Sequence, residues 1–299
     1  MSPRSDTERE DGGSSPSSGG LTGFLRSLLS GIPWSESARA EQTIHLSSPP
    51  GARLSIHNAN GKTQVLGEDR DDIELVVGKH ARAESSEAAN ELLEKIELVS
   101  KEAGGTLEIE VEAPSRWNRH AGGDLVVRAP RNLELSVIAV NGRVCIEGLR
   151  SSVHARTSNG PVRISDIVGD VEVFTSNAKV SCARTCGCLK ARSSNSKIHL
   201  EEHRGSLDAS TSNGIIHAAL DELGRAGVVL ATSNGRIVLE LPEGADADVD
   251  VRVENGVIRN SLDVSTPAGD ERSGRLRGKL GRGGAAIKLR TSNGTITLR

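Results

Sequence analysis

The chain has 299 residues, a net charge of −3, 33 glycines and 35% apolar residues. Its aromatic rings are Phe24, Trp34, Trp117 and Phe174, with no Tyr, so a core must be aliphatic and repetitive, because conventional cores lean on large rings. The near-neutral charge excludes a general field for nucleic acid, and no run of 18 apolar residues exists that would cross a membrane as a helix.

Residues 1–20 combine Asp, Glu, Ser and Gly with Pro3 and Pro16. They bury too little apolar surface to order themselves, and a disordered tail is expected over 1–40. No basic region followed directly by an apolar run and a cleavage site marks a secretory signal. Within the tail, Leu21, Phe24, Leu25, Leu28 and Leu29 share one helical face, and Trp34 closes the segment. An amphipathic piece over 21–34 is expected to meet a partner or a membrane surface, or to pack back on the fold.

Residues 41–135 read as a β region with one helix. Leu54 and Ile56 precede Asn58-Ala59-Asn60-Gly61, with Val65 beyond, and residues 72–78 form another strand. Over 85–97 the period changes, and Ala88, Ala89, Leu92, Leu93 and Ile96 make a helical stripe capped by Ser85 or Ser86. Leu107, Ile109, Val111, Leu125 and Val127 return to strand period. This region is expected to cap the remainder of the chain, since an open strand edge templates aggregation.

Residues 136–299 are a repeat. Thr-Ser-Asn-Gly ends at Gly160, Gly214, Gly235 and Gly294, with degenerate copies between. The turn asparagines are Asn141, Asn159, Asn177, Asn195, Asn213, Asn234, Asn255 and Asn293, spaced 18, 18, 18, 18, 21, 21 and 38 residues apart. Three positions after each stands a β-branched aliphatic: Val144, Val162, Val180, Ile198, Ile216, Ile237, Ile258 and Ile296. Before each, at six and four positions, a second alternating strand runs, as in Leu135 and Val137 or Val171 and Val173. Gly169, Gly187 and Gly205 mark the opposite turn. Asn-Gly suits left-handed backbone angles and also signals hairpins. The same residue type recurs at each coil position, which favours an all-β parallel β-solenoid of 18–21-residue coils, with one short helix in the N-terminal β region. Parallel crossovers favour a right-handed coil.

Candidate chemistry is sparse. Cys182, Cys186 and Cys188, with His199, have the element types of a soft-metal site. Cys182 falls in the inward column, and with Cys145 the four are expected as free thiols in a cytoplasmic protein. His199 and His217 share an outward position about 4.8 Å apart on successive coils. Between a metal or pH-sensing pair and an exposed polar column, the polar column is preferred. His199-Leu-Glu-Glu-His203 lacks the Glu directly after the first His that a zinc protease needs. Asp166, Asp170 and Glu172 crowd one turn without forming a paired acid and base. Arg272, Arg275, Arg277, Lys279 and Arg282 are expected in a solvated loop that fills the 38-residue gap. No catalytic residue, metal, cofactor or small-molecule substrate is expected.

Thr-Ser-Asn-Gly followed by aliphatic-x-aliphatic, the Asn-Gly unit at 58–67, the helix near 85–97, Pro130-x-Asn132-Leu133 and the ending from Gly283 to Ile296 together resemble a bacterial putative-adhesin family of β-strand-repeat proteins. That resemblance implies a β-solenoid, a bacterial source and no catalytic residues. The resulting expectation is a non-enzymatic structural or interaction module, cytoplasmic, binding a protein partner or itself, with a membrane contact through 21–34. The alternatives are a bactofilin-like polymer growing from an uncovered last coil at Arg299, an exported surface adhesin and, least favoured, a polysaccharide-active β-helix enzyme.

Overall fold

A computed structural model describes residues 36–113, 120–266 and 274–299. Segment 21–34, with Leu21, Phe24, Leu25, Leu28, Leu29 and Trp34, lies outside the described residues, as do Trp117 and Arg272. Residues 36–40, expected in the tail, instead begin β1 (Glu36–Ser47). The reason is packing: Ala38 is buried with Ala83 and Ala89 in a small apolar cluster of its own.

β2 (Arg53–Asn58) leads to an Asn-Gly corner, and β3 (Thr63–Glu68) leaves it. β4 (Asp72–Ala83) follows, antiparallel to β1. Helix α1 (Ser86–Glu94) is capped by Ser85, whose hydroxyl accepts from the Ala88 amide at 3.2 Å, and it buries Ala89 and Leu92. β5 (Glu97–Ala103), β6 (Thr106–Glu112) and β7 (Ala121–Pro130) complete the N-terminal region. The repeats then run as β8 (Glu134–Ala139), β9 (Val144–Glu147), β10 (Val153–Thr157), β11 (Val162–Val168) and β12 (Val171–Thr175). Three longer strands turn corners without a break: β13 (Val180–Ser193), β14 (Ile198–Asn213) and β15 (Ile216–Asn234). β16 (Ile237–Glu240), β17 (Ala247–Asn260), β18 (Val264–Ser265), β19 (Arg275–Leu280) and β20 (Ala285–Leu298) finish the chain.

Strands entering the Asn-Gly corner pair in parallel as one sheet, in the spatial order β6, β2, β8, β10, β12, β13, β14, β15, β20, β17. Strands leaving it form a second sheet, in the order β7, β3, β9, β11, β13, β14, β15, β16, β20, β17. The molecule is a β-solenoid. Its core is a stack of aliphatic lines: Leu135, Val153, Val171, Leu189, Leu207 and Val228 are paired in register and each is at most 2% exposed. Each such side chain contributes about 1.5–3 kcal/mol on burial, so repetition replaces the missing aromatic rings.

The corner chemistry explains the motif. The Thr faces inward, and at some corners its hydroxyl serves a neighbouring coil: Thr211 donates to the Ser196 carbonyl at 3.2 Å and Thr232 to that of Gly214 at 3.3 Å, whereas Thr157 accepts from the Gly160 amide of its own corner at 3.3 Å. The Gly answers a close approach between coils, and at Gly256 (φ 153°) and Gly294 (φ 151°) also the positive φ expected from sequence. A Cβ on Gly160 would lie 1.6 Å from the Gly142 carbonyl oxygen, yet Gly160 has no positive φ. At the opposite corner residues other than Gly take left-handed backbone: Asp166 (φ 57°), Arg184 (φ 51°) and Glu202 (φ 52°).

Two features depart from simple sequential stacking. β2 and β3, the first coil in sequence, lie between β6–β7 and β8–β9. β20 lies between β15–β16 and β17. The expectation that the strand ending near Arg299 forms an uncovered last coil is therefore corrected: β20 is hydrogen-bonded on both edges, and β17 is the end coil. Arg275, Arg277 and Lys279, expected in a solvated loop, belong to β19, which pairs antiparallel with β17. Arg275 and Arg282 approach Asp250 and Asp246, and this compensates their charge.

Candidate functional site

Outward side chains repeat in columns because each coil stacks on the last in register. The corner column is a continuous amide ladder. Asn141 donates its Nδ2 to Asn60 Oδ1, and the pattern continues through Asn159, Asn177, Asn195, Asn213, Asn234, Asn293 and Asn255 at 2.8–3.1 Å. Every bond points the same way along the axis. The ladder follows spatial order, so Asn255 donates to Asn293 and stands last. Asn60 starts it with a buried Nδ2 that has no partner among the described residues.

At the opposite corner Arg184 grips Asp166 with two bonds of 2.7 Å. This guanidinium pushes the Asp166 carboxyl below its ordinary range. Asp170 accepts from the Cys188 amide at 2.9 Å, and Glu172 pairs with His154 at 3.2 Å. The three carboxylates crowded at 166–172 thus serve three separate contacts and do not converge.

The cysteines do not converge either. Cys182 is buried, and desolvation pushes its thiol up to about 12. Cys186 and Cys188 are exposed beside Gly187, Cys145 is half-buried, and all four are free thiols. His203 turns inward, where Thr185 Oγ1 (2.9 Å) and the Ser206 carbonyl (3.2 Å) satisfy it and burial lowers its pKa.

His199 and His217 are brought together on the second sheet, as register pairs on β14 and β15. Their Nδ1 atoms are 3.0 Å apart, whereas the ring centroids are 4.9 Å apart with planes 15° from parallel. The nitrogen edges therefore face each other. On the outer side His199 Nε2 is 2.6 Å from Glu201 Oε1, and His217 Nε2 is 2.6 Å from Glu240 Oε1. Arg299 holds the same Glu240 oxygen at 2.6 Å. Arg299 and His217 lower the Glu240 pKa, and burial is the main cause lowering that of His199. Sequence reasoning found the two histidines but not their carboxylates. The missing signal was the column six places after each Asn, where Glu201 and Glu240 face outward beside the histidines.

The first sheet carries a different column. Ile138, Arg156, Phe174 and Arg192 are register neighbours on β8, β10, β12 and β13. Phe174 is 41% exposed and Ile138 42%. Arg192 is held by Asp208. A groove of about 1040 Å³ lies beside Asn60, lined by Arg39, Lys62, Lys79, Arg82 and Arg143 around Asp124. It is open and polar.

Stacked coils, aliphatic lines and an amide ladder define a repeat protein whose distinctive chemistry lies on its outer columns. The chain belongs to the Toastrack DUF4097 family, whose match covers residues 53–299, in line with the resemblance carried by the repeat. No curated protein matches it. It is similar in structure to a putative adhesin from Bacteroides fragilis, with 11% identity, coverage of 87% of this chain and 97% of that one, and a TM-score of 0.50. A putative lipid binding protein from Parabacteroides distasonis shares 13% identity over 87% of this chain and 96% of its own, with a TM-score of 0.48. A putative cell adhesion protein from Clostridium sporogenes shares 10% over 88% and 99%, with a TM-score of 0.33. At these identities the likeness bears on the fold alone. Among the described residues no helix is long and apolar enough to cross a membrane.

Proposed function

We propose that this protein is a non-catalytic docking module that engages a protein partner through the outer face of its first sheet. The observation that carries the reading is the Phe174 column. In a protein with almost no aromatic residues, this ring stands in the open, between Arg156 and Arg192 on adjacent strands. Exposed aromatic and Arg side chains are the residue types that dominate protein interfaces. A flat, rigid sheet holds them at low entropic cost. The Arg156 guanidinium beside the ring favours a partner whose apolar patch carries a carboxylate at its rim, while Asp208 already holds Arg192.

The test is a photo-crosslinking side chain placed at Phe174, with another at Arg163 on the opposite sheet as control, in the source cell. The reading predicts a discrete adduct from Phe174 only. An excess of wild-type chain should suppress it, and a Phe174→Asp chain should not. No adduct, or equal adducts from both faces, would contradict it. The free thiols suit a reducing compartment, so the same reading keeps the protein cytoplasmic, which fractionation checks.

A second reading rests on the bare edge at Val257, which is 57% exposed. Here β17 pairs with β20, and among the described residues no strand pairs with its other side. Two copies meeting there would form a closed pair rather than a filament, because antiparallel strands cover the far end of the solenoid.

A further inference from the structure

We propose that His199 and His217 form a surface site for a late first-row divalent cation, such as Zn²⁺ or Cu²⁺, held by the two facing Nδ1 atoms and completed by water. Each Nε2 lies 2.6 Å from a carboxylate oxygen that can only accept, His217 in a hydrogen bond to Glu240 and His199 in an ion-pair contact with Glu201, so both carboxylates favour the proton on Nε2. The ring nitrogen left over on each neutral histidine is then Nδ1, with its lone pair in the ring plane. These two lone pairs face each other at 3.0 Å. They repel unless a cation bridges them, and the two candidates are a shared proton, which 3.0 Å also suits, and a metal ion standing to one side of the N–N line.

The spacing fits the metal. Two imidazole nitrogens each about 2.05 Å from one ion, and 3.0 Å from each other, subtend roughly 94° at it. That angle is close to octahedral or square-planar and a modest compression of tetrahedral. Imidazole pairs suit Zn²⁺, Cu²⁺ and Ni²⁺. The surroundings fit as well. Metal-ligating histidines donate their second N–H to a carboxylate, which fixes ring orientation and raises basicity; here His217 has such a hydrogen bond and His199 an ion-pair contact of the same length. Arg299 in turn anchors Glu240. One ligand atom each from His199, Glu201 and His217 lies within 4.8 Å of the others. Both imidazoles sit on paired strands, with side chains 21% and 22% exposed, so they are held firmly yet open to water. Neighbouring positions in the column are Ser181 and Val238, and neither blocks the site with charge.

The test uses the untagged full chain, stripped with chelator and titrated with ZnCl₂ by calorimetry. The proposal expects one ion per chain. His199→Ala and His217→Ala should each weaken binding at least 100-fold, and Glu201→Gln about tenfold through loss of ring orientation. A Cys186→Ser, Cys188→Ser double variant should bind as wild type. Absence of binding to the wild-type chain, or binding that survives both histidine replacements or follows the cysteines, overturns the proposal. Should a histidine variant fail to fold, pulsed electron paramagnetic resonance of Cu²⁺ on the wild-type chain decides the matter independently. Coupling to two imidazoles is expected; coupling to one or none overturns it.

Discussion

At its N-terminal end the solenoid is finished on both sheets. β5 covers β6 on the first, and β4 then β1 cover β7 on the second, all antiparallel. At the other end only the first sheet is finished, by β19 and β18. The second sheet stops at Val257–Asn260 of β17, with no strand beyond it among the described residues. An antiparallel strand cannot continue the coil, so it ends the repeat and removes the edge that would template another copy. One end of this molecule is thus closed to stacking, and the other retains a short open edge. At both ends the chain also steps past one coil position and fills it out of sequence order.

Substitutions and one deletion probe that comparison. The largest effect is expected from removing residues 285–299. In the described arrangement this withdraws an internal coil, and the amides of 247–260 should lose hydrogen-exchange protection on the order of 100-fold, because β17 depends on β20. Loss confined to the deleted residues would mean that β20 is peripheral.

Next, Ile96→Ala should cost about 2–5 kcal/mol, since Ile96 is fully buried beneath the N-terminal cover. Val257→Ala, on the bare edge, should stay within about 0.5 kcal/mol. Thermal unfolding of the two variants compares the ends directly, and equal losses would break the contrast. Smaller again, Asn177→Ala removes two ladder bonds and Asn255→Ala only one. Solvent competes at these exposed amides, so losses of about 1 and 0.5 kcal/mol are expected.

The smallest effect concerns pH. The Arg70 guanidinium holds the Asp72 carboxyl down to about 2. A depressed carboxyl adds stability above its unfolded value of about 3.9, and that contribution fades as pH falls toward 2. Asp72→Asn should therefore flatten the acid limb of Tm against pH between about 4 and 2 and change little at neutral pH. An unchanged limb would show that the pair contributes nothing.

Much of the middle of this molecule was legible in its sequence, because each coil position repeats. Asn159, Asn177, Asn195 and Asn213 carry the same neighbours at the same offsets, and in-register stacking is the result. The ends were less legible for a physical reason. Repeats announce that a coil exists, not which coil lies beside it, so nothing local in Ile287 or Leu289 tells that β20 slips inside β17. Arg275–Leu280 looked like a loop because its charges mask a two-residue period. On the surface, the histidine pair could be found from one column, whereas Glu201 and Glu240 required reading two columns together across coils of 18 and 21 residues. The Gly of the repeat was legible as a corner, and as a positive φ at Gly256 and Gly294, but the close coil approach was not, since it is a tertiary distance.

The most direct test of the asymmetric-ends account is the mass of the full-length chain by light scattering over a wide concentration range, with electron microscopy of the same samples. A closed N-terminal end and a single open edge predict a bounded species, a monomer passing at most to a dimer. Mass that keeps growing with concentration, or filaments in the images, would contradict the account.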